Sequence, residues 1–289
     1  MRYYFHVVNL ELRKNGLAVF ALDQKPISRF EDIQYFQKYK NYLKHLNKKL
    51  LKERVDKRNK VSYMPLISII LIITDKNFDE LKNTIDSIKN QTYDNWQIIV
   101  FSIDSLKNTS RVNELIERNN SKIVFYDELS DTSFNNIFSF NGDFMGFLDT
   151  GIELSKFALY EFISEINQHP DSEILYSDHD YLDENNVRVD PFFKPNWSQY
   201  LFRSTDYLSS FYIIKKTVLE KINFDLIIHN CFNFDILLQS TEITKFIHHI
   251  SIPLYSIKNI QMLNVNSKKL ALSNHVKRIN LKAIVKHGI

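Results

Sequence analysis

Apolar residues follow two periods along this chain. PLISIILII (65–73) is an unbroken apolar run, the pattern of a strand covered on both faces. WQIIVF (Trp96–Phe101), KIVFY (Lys122–Tyr126) and FMGFL (Phe144–Leu148) predict further short strands. Between them the spacing changes: Leu81, Ile85 and Ile88 step by three and four, as one helix face does. Val112, Leu115 and Ile116 mark a second helix, and a third is expected to carry Asn135 and Asn136. SKFALYEFISEINQHPD is amphipathic and must stop before Pro170, whose ring cannot continue a helix. Strands alternating with helices predict an α/β domain.

Two appendages precede it. YYFHVV and LAVFAL predict a hairpin at Asn15-Gly16, because both turn residues tolerate positive φ. Residues 28–60 predict a helix opened by Ser28 and Glu31 at capping-box spacing. Phe30, Ile33, Phe36, Tyr39, Leu43, Leu46 and Leu50 form its apolar stripe, and its other faces are basic from Lys38 to Lys60. Such a helix either packs on the domain with a solvated basic face or lies on an anionic membrane surface. The packed arrangement is the expectation. The boundaries expected are 1–64 for hairpin and helix, 65–258 for the α/β domain and 259–289 for a helical tail.

Composition narrows the function classes. At 44% hydrophobic and 13% aromatic, 289 residues can bury a large core. A net charge of +3 creates no strong field, and no basic surface interleaved with aromatics argues for nucleic acid. A single cysteine, Cys231, excludes an internal disulfide, fits a reducing cytosol and is expected to be a small buried hydrophobe. The longest apolar run falls short of the ~20 residues that span a bilayer. No signal peptide is legible at the N-terminus. The expected location is cytoplasmic, with a peripheral position at the inner face of the plasma membrane as the variant.

Strand Phe144–Leu148 delivers Asp149 to its C-terminal end, where ligands of open α/β sheets bind. GDFMGFLDTGIEL (142–154) and the segments around it resemble the glycosyltransferase family 2 domain. DSIKNQTYDNWQI resembles that family's passage from helix to strand. The A-L-Y-E core of the helix at 155–171 resembles the family's helix after the acidic motif, and YSDHD and DPFFKPNWS resemble a subgroup acting on bacterial surface polysaccharides, of the O-antigen and rhamnosyltransferase kind. The resemblance covers residues 65–289. The tail is similar to the segment that, in tandem proteins, leads from a first transferase domain towards a second.

The resemblance implies the GT-A fold, a Rossmann-like mixed sheet flanked by helices. It also implies inverting transfer from a nucleotide-sugar donor (a UDP- or dTDP-sugar) to a glycan or lipid-linked acceptor. Its catalytic positions are altered here. An L-D-x-D-D-E-L run is reduced to Asp149, Glu153 and Leu154, with Gly151 and Ile152 where two acids belong. Asp149 is the implied metal ligand, with Glu153 behind it; a divalent cation, Mn²⁺ or Mg²⁺, is the implied cofactor. Asp75 and Asp104 are the acids left to grip the nucleoside beside Asp149. Asp178 and Asp180 are candidates for the acceptor side. His179 between them does not argue for metal, since strand neighbours face opposite ways. In HNCFNFDILLQ the general-base position is Asn233, whose amide cannot accept a proton, while Asp235 matches the motif's second acid. Two residues apart on a helix, Asp235 faces nearly opposite to it. Ser256, Ile257 and Lys258 replace a His-Trp-Arg-like element; His248 and His249 are expected to be structural or surface residues. The sequence therefore leaves a weakened transferase beside a non-catalytic scaffold for a partner transferase.

Overall fold

A computed structural model describes residues 18–20, 33–57, 61–73, 78–102, 121–126, 142–208, 210–224, 231–258 and 265–286. In chain order the described strands begin with β1 (Ala18–Phe20), β2 (Ile67–Ile73), β3 (Trp96–Ser102) and β4 (Ile123–Tyr126). β5 (Phe144–Leu148), β6 (Ile152–Leu154), β7 (Ile174–Leu182) and β8 (Arg188–Phe192) follow. The last are β9 (Phe211–Lys215), β10 (Ile247–Ile257) and β11 (Ala283–Val285). The described helices are α1 (Ile33–Lys57), α2 (Phe78–Lys89), α3 (Ala158–Gln168), α4 (Gln199–Thr205), α5 (Lys216–Leu219), α6 (Phe232–Ile243) and α7 (Val265–Arg278).

The main sheet runs β4-β3-β2-β5-β9-β7-β10-β6, with β8 added on β7. β4, β3, β2 and β5 are parallel, and β9 is antiparallel to both β5 and β7. This is a mixed α/β sheet of the kind the resemblance implies. The apolar run of β2 explains the layering. Ile67, Ile69, Leu71 and Ile73 enter one core with α2 and α3, while Ile70 enters the other beneath α6 and α7. With both faces covered, the strand's one polar side chain, Ser68, is itself buried and accepts from Gln97 Nε2 at 2.7 Å.

The strands and the helix expected from residue pattern at 65–101, 122–126, 144–148 and 155–171 are present, with α3 stopping before Pro170. The hairpin turn at Asn15-Gly16, the capping box at Ser28 and Glu31, and the helices between 110 and 141 lie outside the described residues. β1, from the second expected hairpin strand, pairs in parallel with β11 of the tail. The stripe of α1 faces the domain: Tyr39, Leu46 and Leu50 are buried, the two leucines beside Phe157. That is the packed arrangement expected of this helix. Helix α7 is likewise packed, burying Ala271, Leu272, His275 and Val276. No described helix is long and apolar enough to cross a membrane.

Candidate functional site

Asp149 emerges at the C-terminal end of β5, and the start of α6 is brought over it. Tyr212, beside Phe147 on β9, donates its hydroxyl to the Asn233 carbonyl at 2.7 Å. The Asn233 side-chain amide in turn donates to Asp149 Oδ1 at 2.5 Å. The residue at the position the resemblance implies for the general base thus caps the carboxylate at the strand end.

Two further charges, with no local signal in the sequence, complete this surrounding. Asp206 ends α4 in a left-handed conformation (φ 39°) and pairs with Lys268 of α7. Lys268 also stands 5.3 Å from the Phe234 ring centre. Burial pushes the Asp149 carboxyl up to about 7; Asp206 adds to the rise, while Lys268 and the Asn233 amide oppose it.

Gly151 adopts φ +82°, a backbone state that side chains disfavour. A Cβ there would stand 2.5 Å from Glu80 Oε2. Its amide is held by Thr84 Oγ1 at 3.1 Å. The position at which the resemblance implies an acid is therefore occupied by the tip of the Glu80 side chain from α2, which must swing aside for any side chain there. Glu153 lies two residues on, in β6. It lines a cleft of about 590 Å³ with Asp86, Asn90 and Lys156, and burial raises its carboxyl against the pull of Lys258.

Asp178 and Asp180 are placed in the interior of β7, 1% and 0% exposed. Asp178 Oδ1 accepts from the Lys194 amide at 2.8 Å and meets His249 Nε2 at 2.7 Å. The His249 ring stacks on Tyr176 at 4.8 Å. Asp180 accepts from Tyr39 of α1, from Arg188 Nε at 2.6 Å and from Ser256 Oγ at 2.5 Å. Both carboxylates hold distant segments together. His179 is enclosed by Phe192, Tyr181 and Tyr255, and burial, then Lys194, keeps its ring neutral.

Lys194, from the DPFFKP segment, is fully desolvated. Its Nζ donates to the Tyr255 hydroxyl at 2.7 Å and lies 4.9 Å from that ring centre. Burial lowers its ammonium to about 7, against Asp178 and Asp206.

Asp235 turns away from Asp149 towards α7, with Arg278 Nη2 3.8 Å from Oδ1. There it joins an array that is buried at Arg203 and His275 and half-buried at Glu242 and Arg278. Arg203 Nε donates to His275 Nε2 at 2.9 Å, His275 Nδ1 meets Glu242 at 2.6 Å, and Arg278 clamps the same carboxylate. Burial would raise the Glu242 carboxyl, but the bonds from His275 and Arg278 outweigh it and hold it low. Asp75 and Asp104 lie outside the described residues. The structure thus brings Asn233 and Asp149 together and leaves Asp178, Asp180 and Asp235 in packing roles.

Mg²⁺ in such sites takes one or two protein carboxylates beside substrate phosphates. Among the described residues the carboxylates at the end of β5 are Asp149, already capped by an amide, and Asp206, already paired with Lys268. These residues do not fit a resident cation.

No protein-family model matches the chain. Over 207 residues (68% of the chain) it is 31% identical to the O-antigen biosynthesis protein RfbC of Myxococcus xanthus. It is 27% identical over 203 residues to protein y4gI of Sinorhizobium fredii. The chain spans only 16% and 22% of those relatives' lengths. S. aureus TarS 1–349 in complex with UDP-GlcNAc superposes with TM-score 0.52 at 16% identity, over 74% of this chain and 72% of that one. The UDP complex of the same protein gives 0.53 at 15% identity, over 74% and 71%. At that identity the structural likeness speaks for the fold, and the sequence match speaks for the polysaccharide-synthesis relatives. This chain has the GT-A fold and resembles the family 2 glycosyltransferases of bacterial surface-polysaccharide assembly.

Proposed function

We propose that the chain is a glycosyltransferase-like domain of surface-polysaccharide biosynthesis that holds a nucleotide-sugar donor but transfers sugar weakly. The 2.5 Å bond from Asn233 to Asp149 carries this reading. An amide at the base position cannot take the proton of an attacking hydroxyl, and here it also occupies the carboxylate nearest to it. Loss of a general base lowers a rate by about 10²–10⁴-fold. The likeness to the UDP-GlcNAc complex of TarS supports a UDP-sugar as the first donor to try. The acceptor is proposed as a glycan or lipid-linked sugar, by analogy with the relatives.

Calorimetry with UDP, UDP-GlcNAc and dTDP-sugars, each with and without Mn²⁺, tests the reading beside an assay of donor hydrolysis. Saturable donor binding with slow hydrolysis supports it. Absence of binding by every donor rejects it, as does rapid transfer by the unaltered chain. Because the site does not fit a resident cation, Mn²⁺ is expected to change donor affinity little.

A second reading, a scaffold half for a partner transferase, is favoured by Asp178 and Asp180 being consumed in packing. Donor-independent binding to a transferase from the same cell distinguishes it. Peripheral membrane contact through the exposed basic face of α1 is part of the proposal. Replacing Lys44, Lys48 and Lys52 by glutamine should then reduce flotation with anionic liposomes; unchanged flotation rejects it.

A further inference from the structure

The N-terminal ends of β7 and β10 lie at the opposite edge of the sheet from Asp149, since β7 and β5 both run antiparallel to β9. There the last turn of α3 and the start of β10 bring three ligating side chains together. Glu165 and His169 are four apart on the helix, His169 being its C-terminal cap. His248 enters from β10, in register with Leu175. Glu165 Oε1 is 3.5 Å from His169 Nε2 and 3.9 Å from His248 Nδ1, and all three ligand atoms lie within 4.8 Å of one another. The two imidazoles face each other at 4.9 Å with planes 31° apart.

We propose that Glu165, His169 and His248 bind a divalent transition-metal ion of the Zn²⁺ class. Zn²⁺ bonds to imidazole nitrogen and carboxylate oxygen are about 2.0–2.2 Å, so ligand atoms around a tetrahedral ion stand roughly 3.4 Å apart. Two of the three separations here are already close to that length, and rotation of the exposed His169 ring shortens the third. Two imidazoles and a carboxylate select Zn²⁺, Co²⁺, Ni²⁺ or Cu²⁺ over the oxygen-seeking Mg²⁺ and Ca²⁺. Half of the His169 side chain is solvent-exposed, which leaves the remaining coordination position to water. The ion would clip the end of α3 to β10 and stabilise the back of the sheet. It is independent of the donor site and of any cation carried there.

Co²⁺ is the probe. Titration of the full chain should give one bound equivalent with the visible absorption of a four- or five-coordinate ion, displaced by Zn²⁺, and Zn²⁺ should raise the melting temperature. His169→Ala, at an exposed position, should weaken binding by on the order of tenfold or more and abolish the thermal shift. His248→Ala should do the same, while Asp149→Asn leaves the spectrum unchanged. Absence of Co²⁺ uptake at micromolar concentration overturns the site, as does uptake equal in the wild type and His169→Ala.

Discussion

Asn233 Nδ2 lies 2.5 Å from Asp149 Oδ1, so the amide that opens α6 serves as a donor to the carboxylate at the strand end. It favours the charged form of a carboxyl that burial pushes towards neutrality. Asn233→Ala removes that donor. The Asp149 titration, followed by carboxyl carbon NMR, should move upwards from about 7. An unmoved midpoint would mean that the bond does not form in solution.

Charge removal around the same group gives opposite signs. Lys268 lowers the Asp149 midpoint and Asp206 raises it, although the two are paired with each other. Lys268→Gln should therefore raise the midpoint and Asp206→Asn lower it. Shifts of the same sign in both variants would contradict this placement of charges.

Stability should fall with pH through this group. The native state keeps the Asp149 proton up to about 7, whereas an unfolded aspartate releases it near 4. Between those values the native state binds more protons, so its advantage shrinks as pH rises. Each unit of displacement corresponds to about 1.4 kcal/mol. Urea denaturation of the wild type and Asp149→Asn should show the difference, wild type minus variant, declining across that window. A flat difference would reject the elevated midpoint.

Gly151 tests the closed acid position. Gly151→Asp should destabilise by about 1–2 kcal/mol from the left-handed backbone alone, with the clash against Glu80 added. Glu80→Ala combined with Gly151→Asp should be less destabilised than the two single changes added together. Strict additivity, read from urea midpoints, would show that the two residues do not compete for space.

The attachment of α1 rests on Asp180. Tyr39→Phe leaves one fewer donor on a buried carboxylate and should cost about 1–3 kcal/mol. Arg188→Ala unpairs a carboxylate that is 0% exposed and should cost about 3–5 kcal/mol. Limited trypsin digestion at the lysines of α1 should quicken in the same order. Equal digestion rates across the three proteins would detach the helix from this bond.

The residues that could be read in advance are those whose signal is local. β2, β3 and β5 are mostly apolar because helices cover both faces, and Asp149 stands out as the polar residue ending such a run. The stripe from Tyr39 to Leu50 likewise announces a buried face. Asp178 and Asp180 misled because a carboxylate in a strand looks the same whether it faces a cleft or the interior. What decides is Tyr39, Arg188, Lys194, His249 and Ser256, all supplied from other elements. Asp206 and Lys268 escaped notice for the converse reason, each being an ordinary surface charge until α7 folds back. The cluster of Glu165, His169 and His248 joins a helix end to a strand start that only the sheet order makes neighbours.

Pairing of Ala18–Phe20 with Ala283–Val285 has a consequence for the order of assembly. During synthesis the early strand has emerged long before its partner leaves the ribosome, so this small ladder closes after the main sheet can form. Until then its backbone amides are satisfied by water.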